Sequence, residues 1–317
     1  MTDSARASQF RNALLDQAQA FVGNRSTEEL AKFRQLVGSS IDELSVSEVL
    51  RLGAIVTNPE ADWGFHPSEA VARLVNHAMG ELLVKPESAV TGVEKLKAVA
   101  GRPLLFLPNH LSYSDANLFE LLVNRGGHGE LTKQLTVFAG PKVYAKPFRR
   151  FSSMAFSTIK TPQSSSRASG EAVMTAREVA RIAHATVDTA NERLAAGDNL
   201  LIFVEGTRSR DARMQETLAA VSRYLEFPDL AVIPVGISGT ESLFAVGDDA
   251  LTRAKISISL GKPLEPTVLK ERCAKKRRLI TDVLGFCIAR ELPKSYRGHY
   301  EGSNPKLDTA RQIAETL

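Results

Sequence analysis

The sequence predicts an α/β fold: a mixed central sheet with flanking helices, preceded by a small N-terminal helical bundle. Three observations carry this. Up to Val84 the apolar residues recur only at helical spacing, whereas from Lys85 short apolar runs of strand length alternate with helical segments. No window holds the ~18 consecutive apolar residues that a membrane span requires. At 317 residues the chain also exceeds the ~100–200 residues of one ordinary domain, and the change of pattern at Lys85-Pro86 divides it into a helical bundle, 1–84, and an α/β domain, 85–317.

Within the first unit, Phe10, Leu14, Ala18, Phe21 and Val22 share one helical face. Ser26 with Glu29, Ser40 with Glu43 and Ser45 with Glu48 have the spacing of capping boxes and predict three successive helix starts. After an irregular stretch over 58–66, Pro67 stands where a first helical residue is favoured, and Val71, Leu74, Val75, Ala78, Leu82 and Leu83 give the helix that follows one apolar face. In the second unit, strands are expected over 90–93, 104–107, 135–139, 154–160, 200–204, 231–237 and 255–260. Helices are expected over 115–123, 169–196, 214–224 and 266–291. The segment 161–169, with three consecutive serines, reads as a mobile loop between a strand and the long helix.

Composition narrows the class. Hydrophobic residues at 43% and charged residues at 24% exclude wholesale disorder, collagen-like repeats and a coiled coil. Asp3, Arg6, Arg11, Asp16 and Arg25 interrupt the first twenty-five residues, so no secretory signal peptide is read there. Cys273 and Cys287 are too few and too far apart for a disulfide framework, which points to a reducing, cytoplasmic setting. The net charge of +4 conceals an asymmetry: residues 1–84 hold 7 Lys/Arg against 11 Asp/Glu, and residues 85–317 hold 33 against 25. A basic α/β unit fits an anionic partner such as a nucleic acid, a membrane surface or a phosphorylated small molecule.

Two constellations could carry chemistry, each directly after an apolar run. In Pro108-Asn109-His110-Leu111-Ser112-Tyr113-Ser114-Asp115, His110 and Asp115 are ~140° apart if both lie on one helix. They meet if His110 occupies the turn before a helix and Asp115 its first turn. The carboxylate then takes one imidazole N–H and leaves the other nitrogen as a free base. The alternative is a turn in which Ser112 and Asp115 merely cap a helix. In Phe203-Val204-Glu205-Gly206-Thr207-Arg208-Ser209-Arg210, Gly206 permits a tight turn, Thr207 and Ser209 offer hydroxyls, and Arg208 and Arg210 offer planar forks suited to phosphate oxygens. Its alternative is a salt-bridged surface turn; no Gly-Lys-Ser/Thr follows, so it is not a Walker loop. No metal site is read, because His66, His77, His128, His184 and His299 have no ligand-like spacing.

Taken together, Asn-His-x-x-x-x-Asp, Glu-Gly-Thr-Arg-Ser about ninety-five residues later, and Val232-Ile233-Pro234-Val235-Gly236 resemble the glycerophospholipid acyltransferase family over residues 90–264. Phe138-Ala139-Gly140-Pro141-Lys142 and Lys146-Pro147-Phe148-Arg149-Arg150, with the strand ending at Ile159-Lys160, look like its second block, although Phe148-Arg149-Arg150 stands where Pro-x-x-Gly is more usual. The resemblance implies transfer of a fatty acyl group from a thioester, acyl-CoA or acyl carrier protein, to the hydroxyl of glycerol 3-phosphate or of its 1-acyl form, with no further cofactor. It implies that His110 acts as general base and Asp115 orients it. Lys160, Arg208 and Arg210 would clamp the acceptor phosphate, with Asn109, Gly206, Thr207 and Ser209 lining the substrate site. Glu205 would take an acceptor hydroxyl or hold Arg208.

Other classes fit less well. A serine hydrolase lacks its Gly-x-Ser-x-Gly, and a nucleic-acid partner is not expected with aromatics at 6%. A non-catalytic phosphate-binding α/β protein would use the arginine-rich turn without His110. Arg272, Lys275, Lys276, Arg277 and Arg278, beside Leu269, Leu279, Ile280, Val283, Leu284 and Phe286, read either as a packed helix with a solvated basic face or as a peripheral contact with anionic lipid at the inner membrane face.

Overall fold

Local hydrogen bonding sets the first helices. Thr2 accepts the Ala5 N–H and starts α1 (Asp3–Val22), while Ser26 and Ser45 each form a complete capping box, with Glu29 and Glu48, at the starts of α2 (Thr27–Asp42) and α3 (Val46–Thr57). The computed structural model describes residues 2–23, 25–58, 64–144, 146–162, 175–243 and 252–317. The third expected start is absent. Ser40 lies inside α2 and donates its hydroxyl back to the Leu36 carbonyl at 3.0 Å, because burial of Val37 and Ile41 carries the helix through it.

A two-residue strand, β1 (Phe65–His66), follows, and the next helix, α4 (Ala70–Leu83), begins three residues later than Pro67. Glu69 is its cap residue; the Glu69 N–H is taken by the Met154 carbonyl and its carboxylate by both arms of Arg51, so the chain cannot turn helical earlier. Then come β2 (Ala89–Thr91), β3 (Leu104–Pro108), α5 (Asp115–Arg125), β4 (Leu135–Ala139), α6 (Pro141–Tyr144), α7 (Pro147–Ser153) and β5 (Ser157–Lys160). The expected strand 154–160 begins only at Ser157, because residues 154–156 form the turn that closes α7. Next are α8 (Ala176–Ala195), capped by Thr175 with Glu178, β6 (Asn199–Leu201), β7 (Ala231–Ser238) and β8 (Ser257–Leu260). The loop expected over 161–169 lies largely outside the described residues.

Two expected helices are corrected. Residues 214–218 are not helical, since the Met214 N–H is given to the Tyr296 carbonyl and the Leu218 N–H to that of Val204; only a 3-10 segment, Ala219–Leu225, follows. The helix expected over 266–291 is two: α9 (Pro266–Arg272) and α10 (Arg277–Arg290), separated where Ala274 and Lys275 take left-handed backbone angles of 49° and 57°. The final helix, α11 (Asp308–Glu315), packs on α10.

The eight strands form one mixed sheet in the order β1-β5-β4-β6-β3-β7-β8-β2. β5, β4, β6, β3 and β7 are mutually parallel; β1 pairs antiparallel with β5, β8 antiparallel with β7, and β2 parallel with β8. Alternation along β3 shows the layering. Leu104 and Phe106 join the core under α1–α5 and α7, and Leu105 and Leu107 join the opposite core under α8–α11. Both faces are covered, so β3 and β7 are buried almost throughout, as parallel strands are when helices lie on each side. Residues 280–289 of α10 are all buried, and the exposed Lys275, Lys276 and Arg277 cluster where that helix begins. Among the described residues no helix is long and apolar enough to cross a membrane.

The topology fixes where a ligand can lie. From β3 the chain moves to β4 and β5 on one side, returns to β6 beside β3, and then passes to β7 and β8 on the other. The carboxyl ends of β3 and β6 therefore flank the point where the winding reverses, where open α/β sheets form their crevice.

Candidate active site

Both sequence constellations emerge at that crevice. His110 lies in the turn after β3, and Asp115 is the first residue of α5. His110 Nδ1 donates to Asp115 Oδ2 at 2.8 Å. The same oxygen accepts the Leu111 N–H at 2.7 Å and the Ser112 N–H at 2.9 Å, and Oδ1 accepts the Thr240 hydroxyl at 2.6 Å. Asp115 is wholly buried and receives four donors, so it is a fixed acceptor that directs Nδ1–H inward and leaves His110 Nε2 as the imidazole's remaining nitrogen. The His110 side chain is 15% exposed, enough to be reached from the crevice. Its ring stacks on Phe203, with centroids 3.9 Å apart and planes 20° from parallel, which fixes the remaining torsion.

The second constellation holds the first by its backbone. Glu205 Oε1 accepts the His110 N–H at 2.8 Å, and the Ser209 N–H donates to the His110 carbonyl at 2.8 Å. Glu205 is fully buried, and its other oxygen accepts the Gln215 N–H at 2.7 Å. Both peptide groups of His110 are thus gripped by the loop after β6. Gly206 makes that loop possible: its φ is +65°, and a Cβ there would run into Leu218. Ser209, also buried, gives its hydroxyl to Asp211 at 2.9 Å, and this bond, with the Arg213 N–H, holds the Asp211 carboxyl below its usual range.

Other expected site residues fall at differing distances from the pair. Asn109, expected to bind substrate, is fully buried and clips β3 to β7: its Nδ2 donates to the Ile237 carbonyl at 3.0 Å and its Oδ1 accepts the Ile237 N–H at 2.7 Å. With both amide groups used inside the sheet it positions the strand end and does not face a ligand. Thr207 is partly exposed and Arg210 exposed on the same loop. Lys160 ends β5, three strand positions or roughly 14 Å along the sheet from β3, with its ammonium 4.5 Å from the centre of the Tyr144 ring. Arg208 lies over the Tyr113 ring, Cζ 3.8 Å from its centre.

The sequence reading missed three residues here. Thr240, just past β7, braces Asp115; Tyr113 lies under Arg208; and Arg149 of α7 stacks on Tyr113 as well, at 3.9 Å. Thr240 has a faint signal, a hydroxyl residue directly after a strand of the same sheet. The other two have none, because their contacts join residues 36 or more apart.

These features define a class: an α/β protein with a histidine–aspartate pair and a basic turn at the carboxyl ends of adjacent parallel strands. Residues 87–238, which run from just before β2 to the end of β7 and include His110, Asp115, Lys160, Glu205 and Arg208, match the model of the Acyltransferase family. No curated protein matches the chain. Among solved structures, the 1-acyl-sn-glycerophosphate (LPA) acyltransferase PlsC from Thermotoga maritima is similar, at 18% identity and a TM-score of 0.43, covering 87% of this chain and 94% of that one.

Proposed function

We propose that the protein is a glycerophospholipid O-acyltransferase that moves a fatty acyl group from a thioester, acyl-CoA or acyl carrier protein, to a hydroxyl of glycerol 3-phosphate, with 1-acylglycerol 3-phosphate as the second candidate acceptor. The observation that carries this reading is the His110–Asp115 pair facing the crevice beside the arginine-bearing turn, within a segment that matches the acyltransferase family.

In this reading His110 Nε2 takes the proton of the acceptor hydroxyl as the oxygen attacks the thioester carbonyl. The new C–O bond forms, the C–S bond breaks, and the proton passes from the imidazolium to the departing sulfur. Asp115 stabilises the imidazolium in between and stays ionised itself. A thiol with an ordinary pKa of ~8.5 leaves far more readily than an amine, so one base suffices and no acyl-enzyme is needed. Arg208, assisted by Arg210 and Lys160, holds the acceptor phosphate, and that remote binding energy orients the hydroxyl at His110. Glu205 and Asn109 act by positioning the His110 turn.

The test is thiol release from an acyl-CoA by purified protein, with glycerol 3-phosphate, 1-acylglycerol 3-phosphate and glycerol as acceptors. Acceptor-dependent release with a phosphorylated acceptor is expected, and His110→Ala should abolish it while leaving the circular dichroism spectrum unchanged. Full activity in that variant would remove His110 from the mechanism, and absence of release with every acceptor would remove the reading.

A further inference from the structure

The reaction so described makes no use of Arg149, yet the fold takes unusual care to place it. Tyr113, three residues past His110, carries two guanidinium groups, Arg208 and Arg149, with Cζ atoms 3.8 and 3.9 Å from the ring centre. Two groups at that height over one centre cannot share a face, so they lie on opposite faces, about 8 Å apart. Among the described residues neither is paired with a carboxylate; Arg149 donates one long bond, 3.4 Å, to the Lys142 carbonyl. Two like charges at this distance repel each other, and an anion beside them turns that repulsion into attraction.

The N-terminal helices put Arg149 there. Phe148 stacks against Phe21 of α1 with ring centres 4.5 Å apart. Arg150 is buried and donates to the carbonyls of Ile55 (2.9 Å), Val56 (3.3 Å) and Asn58, closing the C-terminal end of α3, and to that of Tyr144. Its two neighbours are thus fastened to the helical bundle, and Arg149 between them is left to reach Tyr113.

We propose that Arg149 is the second arm of the acceptor clamp: Arg149 and Arg208, splayed by the ring of Tyr113, bind one phosphate monoester at the rim of that ring, and the N-terminal helices belong to the site because they hold the Arg149 arm. This rests on the reading above that the acceptor is a phosphate ester. Both side chains are long enough for their N–H edges to converge on the rim, and guanidinium forks match phosphate oxygens. Tyr113 is close in sequence to His110, so the bound phosphate lies near the base, as the phosphate of a short glycerol ester must.

The donor's phosphoryl groups offer the same chemistry, and the experiment separates them. Binding of glycerol 3-phosphate and of inorganic phosphate to the 317-residue chain is measured by calorimetry without donor, for the wild type, Arg149→Ala, Arg149→Lys and Tyr113→Phe. Acceptor and donor KM are measured with acyl-CoA and with acyl-pantetheine, which lacks the nucleotide phosphates. Arg149→Ala is expected to weaken glycerol 3-phosphate binding and raise acceptor KM about tenfold, with kcat within about twofold and donor KM unchanged. Arg149→Lys should recover little, and Tyr113→Phe should keep the stack and the binding. Unchanged acceptor binding in Arg149→Ala overturns the proposal, as does a rise in KM for acyl-CoA but not for acyl-pantetheine. Because the calorimetry needs no turnover, phosphate-ester binding that depends on Arg149 without thiol release would leave the clamp standing and sink the acyltransferase reading alone.

Discussion

Replacing Glu205 by Gln separates two roles for this carboxylate, a pin between loops and a contact to the acceptor. The side chain is fully buried and accepts one backbone N–H on each oxygen, from His110 at 2.8 Å and from Gln215 at 2.7 Å. Glutamine keeps the shape but has one acceptor oxygen; its NH2 group must then face a second N–H donor. One charge-assisted bond is lost and one backbone donor is left unsatisfied, which costs about 2–4 kcal/mol. For a chain of this size that corresponds to a fall in Tm of about 3–6 °C. Thermal unfolding followed by circular dichroism reads the stability, and thiol release reads the activity. If Glu205 pins the His110 turn, Glu205→Gln lowers both Tm and kcat, with acceptor KM moving less. An unchanged Tm with a several-fold higher acceptor KM would refute the pin and make Glu205 a substrate contact.

Two further outcomes follow from other contacts. Gly206→Ala places a Cβ on a residue with φ of +65° and against Leu218, so a loss of about 1–2 kcal/mol and reduced turnover are expected; a wild-type Tm would count against the role given to the left-handed turn. The Arg102 fork on Glu265, at 2.7 and 2.8 Å, holds the Glu265 carboxyl below its ordinary 4.5. A depressed folded-state pKa stabilises above the unfolded value and ceases to do so as pH falls through the folded value. The Tm difference between wild type and Glu265→Gln should therefore be present at neutral pH and disappear in acid below 4.5. It should be small, because the carboxylate is 44% exposed, and a difference that stays constant through the acid limb would show that the ion pair is not its cause.

What could be read from the sequence was governed by range. Strand β4 has the limits that its apolar run and flanking turns predict, and the Ser26 and Ser45 capping boxes are present because they depend on residues three apart. Failures arise where a distant partner takes over a backbone group. Residues 214–218 have helical spacing, but Gln215 and Leu218 give their N–H groups to Glu205 and to Val204. The break between α9 and α10 was hidden because its left-handed residues are Ala274 and Lys275, neither of which signals such a conformation, and β1 is too short to leave a pattern. The site follows the same rule. His110 and Asp115 were legible as a short-range pair, whereas the grip of Glu205 and Ser209 on His110 spans some ninety-five residues, and the stack of Arg149 on Tyr113 depends on how the first three helices dock.

The double grip on the His110 peptide groups determines what could be moved to another scaffold. Grafting the segment from Asn109 to Asp115 onto a foreign parallel sheet would carry over the imidazole and its carboxylate, yet leave the turn that bears them free to swivel. The smallest transferable unit is a pair of adjoining strands with both of their outgoing loops, together with the threonine that follows the next strand. A designer who borrowed less would obtain the right side chains on an unsteady hinge.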